Sequence, residues 1–159
     1  MILHKLLEEV LTGETGDDAT ALVRRAAELI AQTGRPATDD PSTGLSADEL
    51  AGCVIRTLAL DEIAALRPTL SPEFPVYASV LTGEEEQATA GIADAVSFDP
   101  GGTLDVVIDW KSDVRPTDET LAHYHAQVRT YLDMTGARRG LIVLVTTGRV
   151  LQVMPSGAQ

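Results

Sequence analysis

Two short stretches on either side of a turn signal constrain how this 159-residue chain can fold. Residues 89–98 and 104–110 alternate apolar with polar positions, as strands with one buried face do. Between them, Asp99-Pro100-Gly101-Gly102 favours a tight turn. The sequence therefore predicts a β-hairpin, and with it a sheet in the core of the protein.

The predicted hairpin carries three charged residues whose combination points to chemistry. Asp94 lies on the first strand, and Asp109 and Lys111 lie on the second. Because side chains alternate along a strand, Asp109 and Lys111 point to one face and Trp110 to the other. Two carboxylates can supply the oxygen ligands that Mg²⁺ prefers, and a lysine can stabilise the negative charge of a reacting phosphodiester. The structural alternative is two surface carboxylates with an ion-paired lysine on a half-exposed sheet.

The rest of the chain predicts an α/β fold with helices before and after the hairpin. Ser46 and Glu49 form a capping-box pattern at the start of the third helix. A turn around Gly83 would join the hairpin to a preceding strand, which makes an antiparallel meander. The predicted helices cover residues 2–11, 18–31, 46–58, 60–66 and 118–134, and the further strands cover 72–81, 140–146 and 150–154.

Composition excludes several classes of protein and site. The net charge of −12 argues against tight, non-specific binding of duplex DNA, because phosphate contacts usually come from Lys and Arg. No apolar run reaches the roughly 18 residues of a membrane span, and no signal peptide is expected. The single cysteine, Cys53, is expected to be buried, since one cysteine forms neither an internal disulfide nor an iron–sulfur cluster. A cytoplasmic location is expected.

The helix predicted over 118–134 carries a polar face next to the apolar face, formed by Leu121, Val128 and Leu132, that packs on the sheet. Tyr124, Gln127 and Tyr131 follow the i, i+3, i+7 spacing of one helical face. Their hydroxyl and amide groups and their rings suit hydrogen bonding and stacking with a nucleotide chain. Partly buried tyrosines with hydroxyls at the rim of the core are the alternative reading.

Taken in order, these elements resemble a known nuclease family. G-I-A-D at 91–94, L-D-V-V-I-D-W-K at 104–111 and Y-x-x-Q-x-x-x-Y at 124–131 are similar to the motifs of the RecB-type nuclease domain of the PD-(D/E)xK superfamily. That domain is the C-terminal nuclease of bacterial helicase–nuclease subunits such as RecB and AddA. L-H-K-L-L-E at 3–8 resembles the first motif of the family, and E-F-P-V at 73–76 resembles the strand before G-x-x-D. The resemblance runs from about residue 2 to about residue 146.

The resemblance implies a restriction-endonuclease-like core within one domain, 1–159. Residues 1–70 would form the helical part with the histidine motif, and 71–159 the α/β catalytic core. It also implies one site whose residues share three roles: Mg²⁺ or Mn²⁺ binding by His4, Asp94, Asp109 and the Trp110 carbonyl; catalysis by Asp94, Asp109 and Lys111; and substrate binding by Gln127, Tyr131 and Tyr124. Without the family, His4 would be read as an ordinary residue on an amphipathic helix.

The implied activity is a divalent-metal-dependent DNA nuclease that acts on single-stranded DNA or DNA ends, as an exonuclease or endonuclease, in repair, recombination or defence. The chain has no G-x-x-x-x-G-K-[ST] motif of its own, so a separate helicase subunit is a possible partner. The branch of the family with an iron–sulfur cluster is excluded by the cysteine count. Two alternatives stay open: a non-catalytic module that binds DNA or a helicase subunit, and an acidic domain that mimics DNA towards a basic partner.

Overall fold

The computed structural model describes residues 1–82 and 85–157, which form a helical part followed by an α/β part. A short 3₁₀ turn at Arg67–Thr69 joins the two parts. The α-helices are α1 Ile2–Thr12, α2 Ala19–Gln32, α3 Ala47–Leu58, α4 Asp61–Leu66 and α5 Asp118–Thr135. The strands are β1 Leu70–Thr82, β2 Glu85–Phe98, β3 Leu104–Lys111, β4 Arg139–Leu144 and β5 Arg149–Val153. Among the described residues, no helix is long and apolar enough to cross a membrane.

The five strands form one mixed sheet in the order β1-β2-β3-β4-β5. The first three strands form the predicted antiparallel meander, and β3 then pairs in parallel with β4 after the crossover through α5. The last strand, β5, returns antiparallel to β4. The predicted α/β fold with a mixed sheet is therefore confirmed.

Local signals place several element ends where the sequence predicts them. The turn after β2 closes through the N–H of Gly102, which donates to Asp99 O at 2.9 Å. Gly102 has φ +81, a conformation that glycine adopts without strain. Ser46 caps α3 by accepting from the Glu49 N–H at 3.3 Å, whereas the Glu49 carboxylate accepts from Arg56. Ser46 thus makes its hydrogen bond of the capping box, whereas the Glu49 carboxylate pairs with Arg56 instead of with the Ser46 backbone.

Two strands are longer than predicted, and one ends earlier. β1 starts at 70 and β2 at 85, because the two strands pair along nearly their whole length, including positions with no apolar alternation. β4 ends at Leu144, two residues before the predicted end, because its carbonyl accepts the N–H groups of Thr147 and Gly148 and closes a turn. The predicted turn at Gly83 lies outside the described residues.

The sheet separates two apolar cores. On one face, α1, α2 and α3 pack against β3 and β4, and this core buries Trp110 and the predicted Cys53. On the other face, α5 packs through Val128 and Leu132. Gly140 on β4 permits this approach, since a Cβ at that position would collide with Val128 Cγ1. Trp110 and Lys111 thus lie on opposite faces of the sheet, as predicted.

Candidate active site

The site lies where β2 and β3 separate. The pairing of these strands ends at Ala95 and Ile108. Beyond that pair, the Trp110 N–H donates to the carboxylate of Asp94, Oδ2, at 2.7 Å. The Asp94 side chain therefore joins the two strands at the point where their backbones part, and it holds the D-W-K segment of β3 against β2.

His4 reaches this junction from α1, whose apolar side is buried in the first core through Leu3, Leu6 and Leu7. Its Nε2 donates to the Trp110 carbonyl oxygen at 2.8 Å and lies 3.3 Å from Asp94 Oδ2. The hydrogen bond to Asp94 raises the pKa of His4 above its ordinary value, against the opposing effect of burial. The predicted histidine thus lies beside the predicted carboxylate and carbonyl.

Asp109 is the buried carboxylate of the site, with 3% of its surface exposed. Burial raises the pKa of Asp109 to about 6, and Lys111 opposes this rise. Lys111 Nζ lies 3.0 Å from Asp109 Oδ2, so the two groups form an ion pair. Oδ2 nevertheless makes no hydrogen bond of good geometry with any residue that the structure describes. Oδ2 is therefore paired with Lys111 by charge and keeps lone-pair capacity for a further donor or a cation.

The side chain of Lys111 extends from the end of β3 towards α5. Its Nζ donates to Gln127 Oε1 at 3.2 Å and lies 4.5 Å from the centroid of the Tyr124 ring. The Tyr124 hydroxyl donates to Asp113 Oδ2 at 2.6 Å, and this hydrogen bond raises the pKa of Tyr124 to about 12. Two residues on one face of α5, Tyr124 and Gln127, therefore contact the lysine.

Tyr131 occupies the same face of α5 and contacts β2. Its hydroxyl donates to the Ile92 carbonyl at 3.2 Å. A Cβ at Gly91 would lie 2.9 Å from the Tyr131 ring, so glycine leaves the space that the ring fills. This contact connects the first position of the G-I-A-D motif with the last position of the helix motif.

Glu73 lies between Pro72 and Phe74, whose partners on β2 are the two neighbours of Asp94, and it adopts a positive φ of +49, which is uncommon for a residue other than glycine. Desolvation raises its pKa, and the negative charges of Glu8 and Asp94 add to that rise. Glu73 is therefore close enough to sense the site electrostatically, although its side chain is exposed.

The donor set fits a hard divalent cation. Asp94 and Asp109 offer carboxylate oxygens, the Trp110 carbonyl is a neutral oxygen donor, and His4 offers an imidazole nitrogen. Within the described ranges, no three His, Cys, Asp or Glu side chains converge closely enough to enclose an ion by themselves. An ion held here would need further oxygen ligands, which water or a phosphate can supply.

Asp113 is a site residue that the motifs do not reveal. It follows β3 and reaches the Tyr124 hydroxyl. Its position in the sequence offers a signal. Asp113 lies two residues after Lys111, as Lys111 does after Asp109, and residues two apart along an extended chain point to the same side. The predicted strand, 104–110, ends before Asp113, so strand alternation does not assign a face to this residue.

Comparison with known proteins identifies the superfamily. The PD-(D/E)XK nuclease superfamily matches residues 1–151. The chain belongs to this superfamily. No curated protein matches the chain. The crystal structure of SSO0001 aligns over 97% of this chain and 76% of its own length, with 22% identity and a TM-score of 0.48.

Membership identifies the class of chemistry. The name of the superfamily contains the pattern PD-(D/E)XK, and this sequence contains Ala93-Asp94 and Asp109-Trp110-Lys111. Proteins of this superfamily are nucleases that generally use divalent metals, so this chain is placed among metal-dependent hydrolases of nucleic acids.

Proposed function

We propose that the protein is a RecB-type, divalent-metal-dependent DNA nuclease that hydrolyses phosphodiester bonds in single-stranded DNA or at DNA ends. The observation that carries this proposal is the meeting of His4, Asp94, Asp109 and Lys111 around the Trp110 peptide group. His4 comes from α1 and is far in sequence from the other three, which lie on the β2–β3 hairpin. Their meeting in a member of this superfamily is best explained by a shared reaction.

The residues that would hold the metal are His4, Asp94, Asp109 and the Trp110 carbonyl, with Mg²⁺ or Mn²⁺ as the physiological ion. Such an ion supplies Lewis-acid stabilisation of the phosphate and a more acidic bound water. The burial of Asp109 strengthens its interaction with a cation, because charges attract more strongly where water is excluded. His4 Nε2 and Asp109 must both be unprotonated to act as ligands.

Lys111 is the proposed catalytic residue. Its ammonium is near the carboxylate of Asp109, where it can donate a hydrogen bond to the attacking water or to a phosphate oxygen. Its side chain is 17% exposed, so it is reachable from solvent yet partly shielded. In such a setting a fixed positive charge stabilises a developing negative charge more than it would in bulk water.

Gln127, Tyr131 and Tyr124 are the proposed substrate contacts. All three are partly exposed and lie on the face of α5 nearest to Lys111 or to β2. Aromatic rings can stack on the bases of an unpaired strand, which supports single strands or frayed ends as the substrate. The net charge of −12 also favours a substrate held by local contacts over one held by a broad basic surface.

We propose that 1–159 acts as a single nuclease domain in the cytoplasm, in DNA repair, recombination or defence. The acidic charge supports a second candidate, a nuclease-fold module that depends on a partner such as a helicase subunit to bring DNA to it. That candidate predicts no cutting by the isolated chain, but cutting once the partner is supplied.

The test is cleavage of end-labelled linear single-stranded DNA, circular single-stranded DNA, blunt duplex and RNA, each with Mg²⁺, with Mn²⁺ and with EDTA. We expect metal-dependent cutting of linear single-stranded DNA that Asp109→Asn abolishes. Asp133→Asn, which makes the same change at an exposed position of α5, is the matched control. Cutting of RNA alone, or cutting that persists in EDTA, would contradict the proposal.

A further inference from the structure

We propose that Asp113 and Tyr124 are positioning residues that hold the Lys111 ammonium in place for the reaction; this inference rests on the proposed function. Lys111 would thus depend on a side chain beyond the D-W-K segment that carries it. The argument follows the contacts from the end of β3 to the face of α5.

The backbone that carries Asp113 is fixed to the end of β4. The Val145 N–H donates to the Lys111 carbonyl at 2.9 Å, and Thr146 Oγ1 donates to the Ser112 carbonyl at 2.9 Å. These two bonds continue the β3–β4 pairing past the last residues of both strands. Asp113 therefore leaves the sheet from a defined point rather than from a free loop.

Asp113 in turn fixes the ring of Tyr124. The hydroxyl donates to Asp113 Oδ2 at 2.6 Å, a short bond of the charge-assisted kind. The other end of the tyrosine is set by α5, which packs on the sheet through its neighbouring apolar face. With both ends held, the ring has one orientation, and it lies 4.5 Å from Lys111 Nζ.

A lysine needs this restraint because its charge is at the end of a flexible four-carbon chain. Three groups contact Nζ: Asp109 Oδ2 at 3.0 Å, Gln127 Oε1 at 3.2 Å, and the Tyr124 ring. Asp109 is also a proposed metal ligand, so its charge is not reserved for Lys111. The ring attracts a cation through its electron-rich face and takes no part in that competition.

Four variants separate the parts of this arrangement. Tyr124→Phe keeps the ring and removes its bond to Asp113, whereas Tyr124→Leu removes the ring. Asp113→Ala removes the acceptor, and Asp113→Asn keeps an oxygen acceptor. We expect Tyr124→Leu and Asp113→Ala to lower kcat about tenfold or more, because a misplaced reacting group can cost about 10²-fold. KM should stay nearly unchanged in Asp113→Ala, whereas it should also rise in Tyr124→Leu, which removes a proposed substrate contact. Asp113→Asn should retain most of the activity.

A second measurement needs neither metal nor substrate. The chain has two lysines, Lys5 and Lys111, so acylation of metal-free protein by a small activated ester gives Lys111 an internal reference. We expect the rate at Lys111 relative to Lys5 to rise several-fold in Tyr124→Leu, because the ammonium is released towards solvent. Tyr77→Phe and Asp133→Asn, at exposed positions, should leave both measurements unchanged.

The outcomes separate this inference from the proposed function. Unchanged kcat and unchanged acylation in Tyr124→Leu and Asp113→Ala, with Lys111→Ala inactive, would overturn the inference and leave the nuclease intact. A raised KM with unchanged kcat would also overturn it, because Tyr124 would then act only as a substrate contact. Full activity of Lys111→Ala would instead overturn the proposed function itself.

Discussion

The backbone N–H of Trp110 donates a hydrogen bond to Asp94 Oδ2 across 2.7 Å, at the end of the β2–β3 pairing. The same oxygen lies 3.3 Å from His4 Nε2, so one carboxylate connects β2, β3 and α1. Asp94 therefore has a structural role in addition to its proposed role as a metal ligand. Substitutions that keep or remove its hydrogen-bonding oxygen can separate the two.

Asp94→Asn should fold normally and fail to cut DNA. An asparagine oxygen can still accept from the Trp110 N–H, but it lacks the charge that a divalent cation requires. Asp94→Ala should also be inactive and should lose about 1–3 kcal/mol of stability, because the Trp110 donor loses its partner. Urea denaturation of both variants, beside cleavage assays, checks this. Equal stability of the two variants would argue against the structural role.

Metal affinity should rise with pH and then level off. Asp109 has its pKa raised to about 6 by burial, and the pKa of His4 is raised by Asp94. Both residues therefore bind protons at mildly acidic pH and must lose them to bind a metal. We expect Mn²⁺ affinity, measured by calorimetry, to be weak at about pH 5 and to increase until the pH passes the pKa of His4.

His4→Gln is the control for this pH dependence. The variant should bind Mn²⁺ more weakly, and its affinity should level off at a lower pH because only Asp109 still titrates. An affinity in the parent protein that does not change between acidic and neutral pH would contradict the assignment of these two residues as ligands.

Gly140→Ala should weaken the packing of α5 on the sheet. The added methyl group would collide with Val128, whose neighbour Gln127 accepts a hydrogen bond from Lys111. Overpacking of this kind costs about 1–3 kcal/mol, and we expect cleavage to fall as α5 shifts. Adding Val128→Ala makes room for the methyl group. The double variant should therefore lose less stability than the sum of the losses in the two single variants. Simple additivity in thermal denaturation would contradict this contact.

A buried ion pair should stabilise the helical part that carries His4. Glu9 is 3% exposed and accepts two hydrogen bonds from Arg25, each 2.8 Å long. Arg25→Ala should lower the stability measurably, because it leaves the Glu9 carboxylate without its charged partner and with the Thr15 hydroxyl as a remaining donor. Arg24→Ala, at the exposed neighbouring position, is the control, with an expected change within about 0.5 kcal/mol.

The same ion pair gives a pH dependence of known sign. Arg25 lowers the pKa of Glu9 below its ordinary value of 4.5. Its contribution to stability is therefore complete above about pH 4.5 and is lost as the pH falls through the lower pKa of the folded state. Denaturation curves of the parent protein and Arg25→Ala should converge in acid. A constant difference between them at all pH values would contradict this.

The sequence predicted the site through residues whose spacing reflects the fold. Asp94, Asp109 and Lys111 were placed on one hairpin because alternation and a glycine turn are local signals, and the structure confirms the hairpin. Tyr124 and Gln127 were placed on one face of α5 by helical periodicity, which is also local. The roles of these residues stay predictions, because geometry does not by itself demonstrate chemistry.

Other features depend on distant contacts that no local pattern contains. No local pattern around His4 predicts that the N-terminal helix contacts β3. Only the family resemblance points to His4 as a site residue. The bond between Asp113 and Tyr124 joins a loop to a helix, and the pair Glu9–Arg25 joins two helices. Strand ends were misjudged where pairing with a neighbouring strand, rather than hydrophobic alternation, extends β1 and β2.

The most direct measurement is cleavage of end-labelled single-stranded DNA by the parent protein and by Lys111→Ala, with and without Mg²⁺. Arg149→Ala, which removes a positive charge at an exposed position of β5, is the control. The account predicts Mg²⁺-dependent cutting that Lys111→Ala reduces about 10²-fold or more, while circular dichroism shows an intact fold. Full activity in Lys111→Ala, or cutting without a divalent metal, would contradict the account.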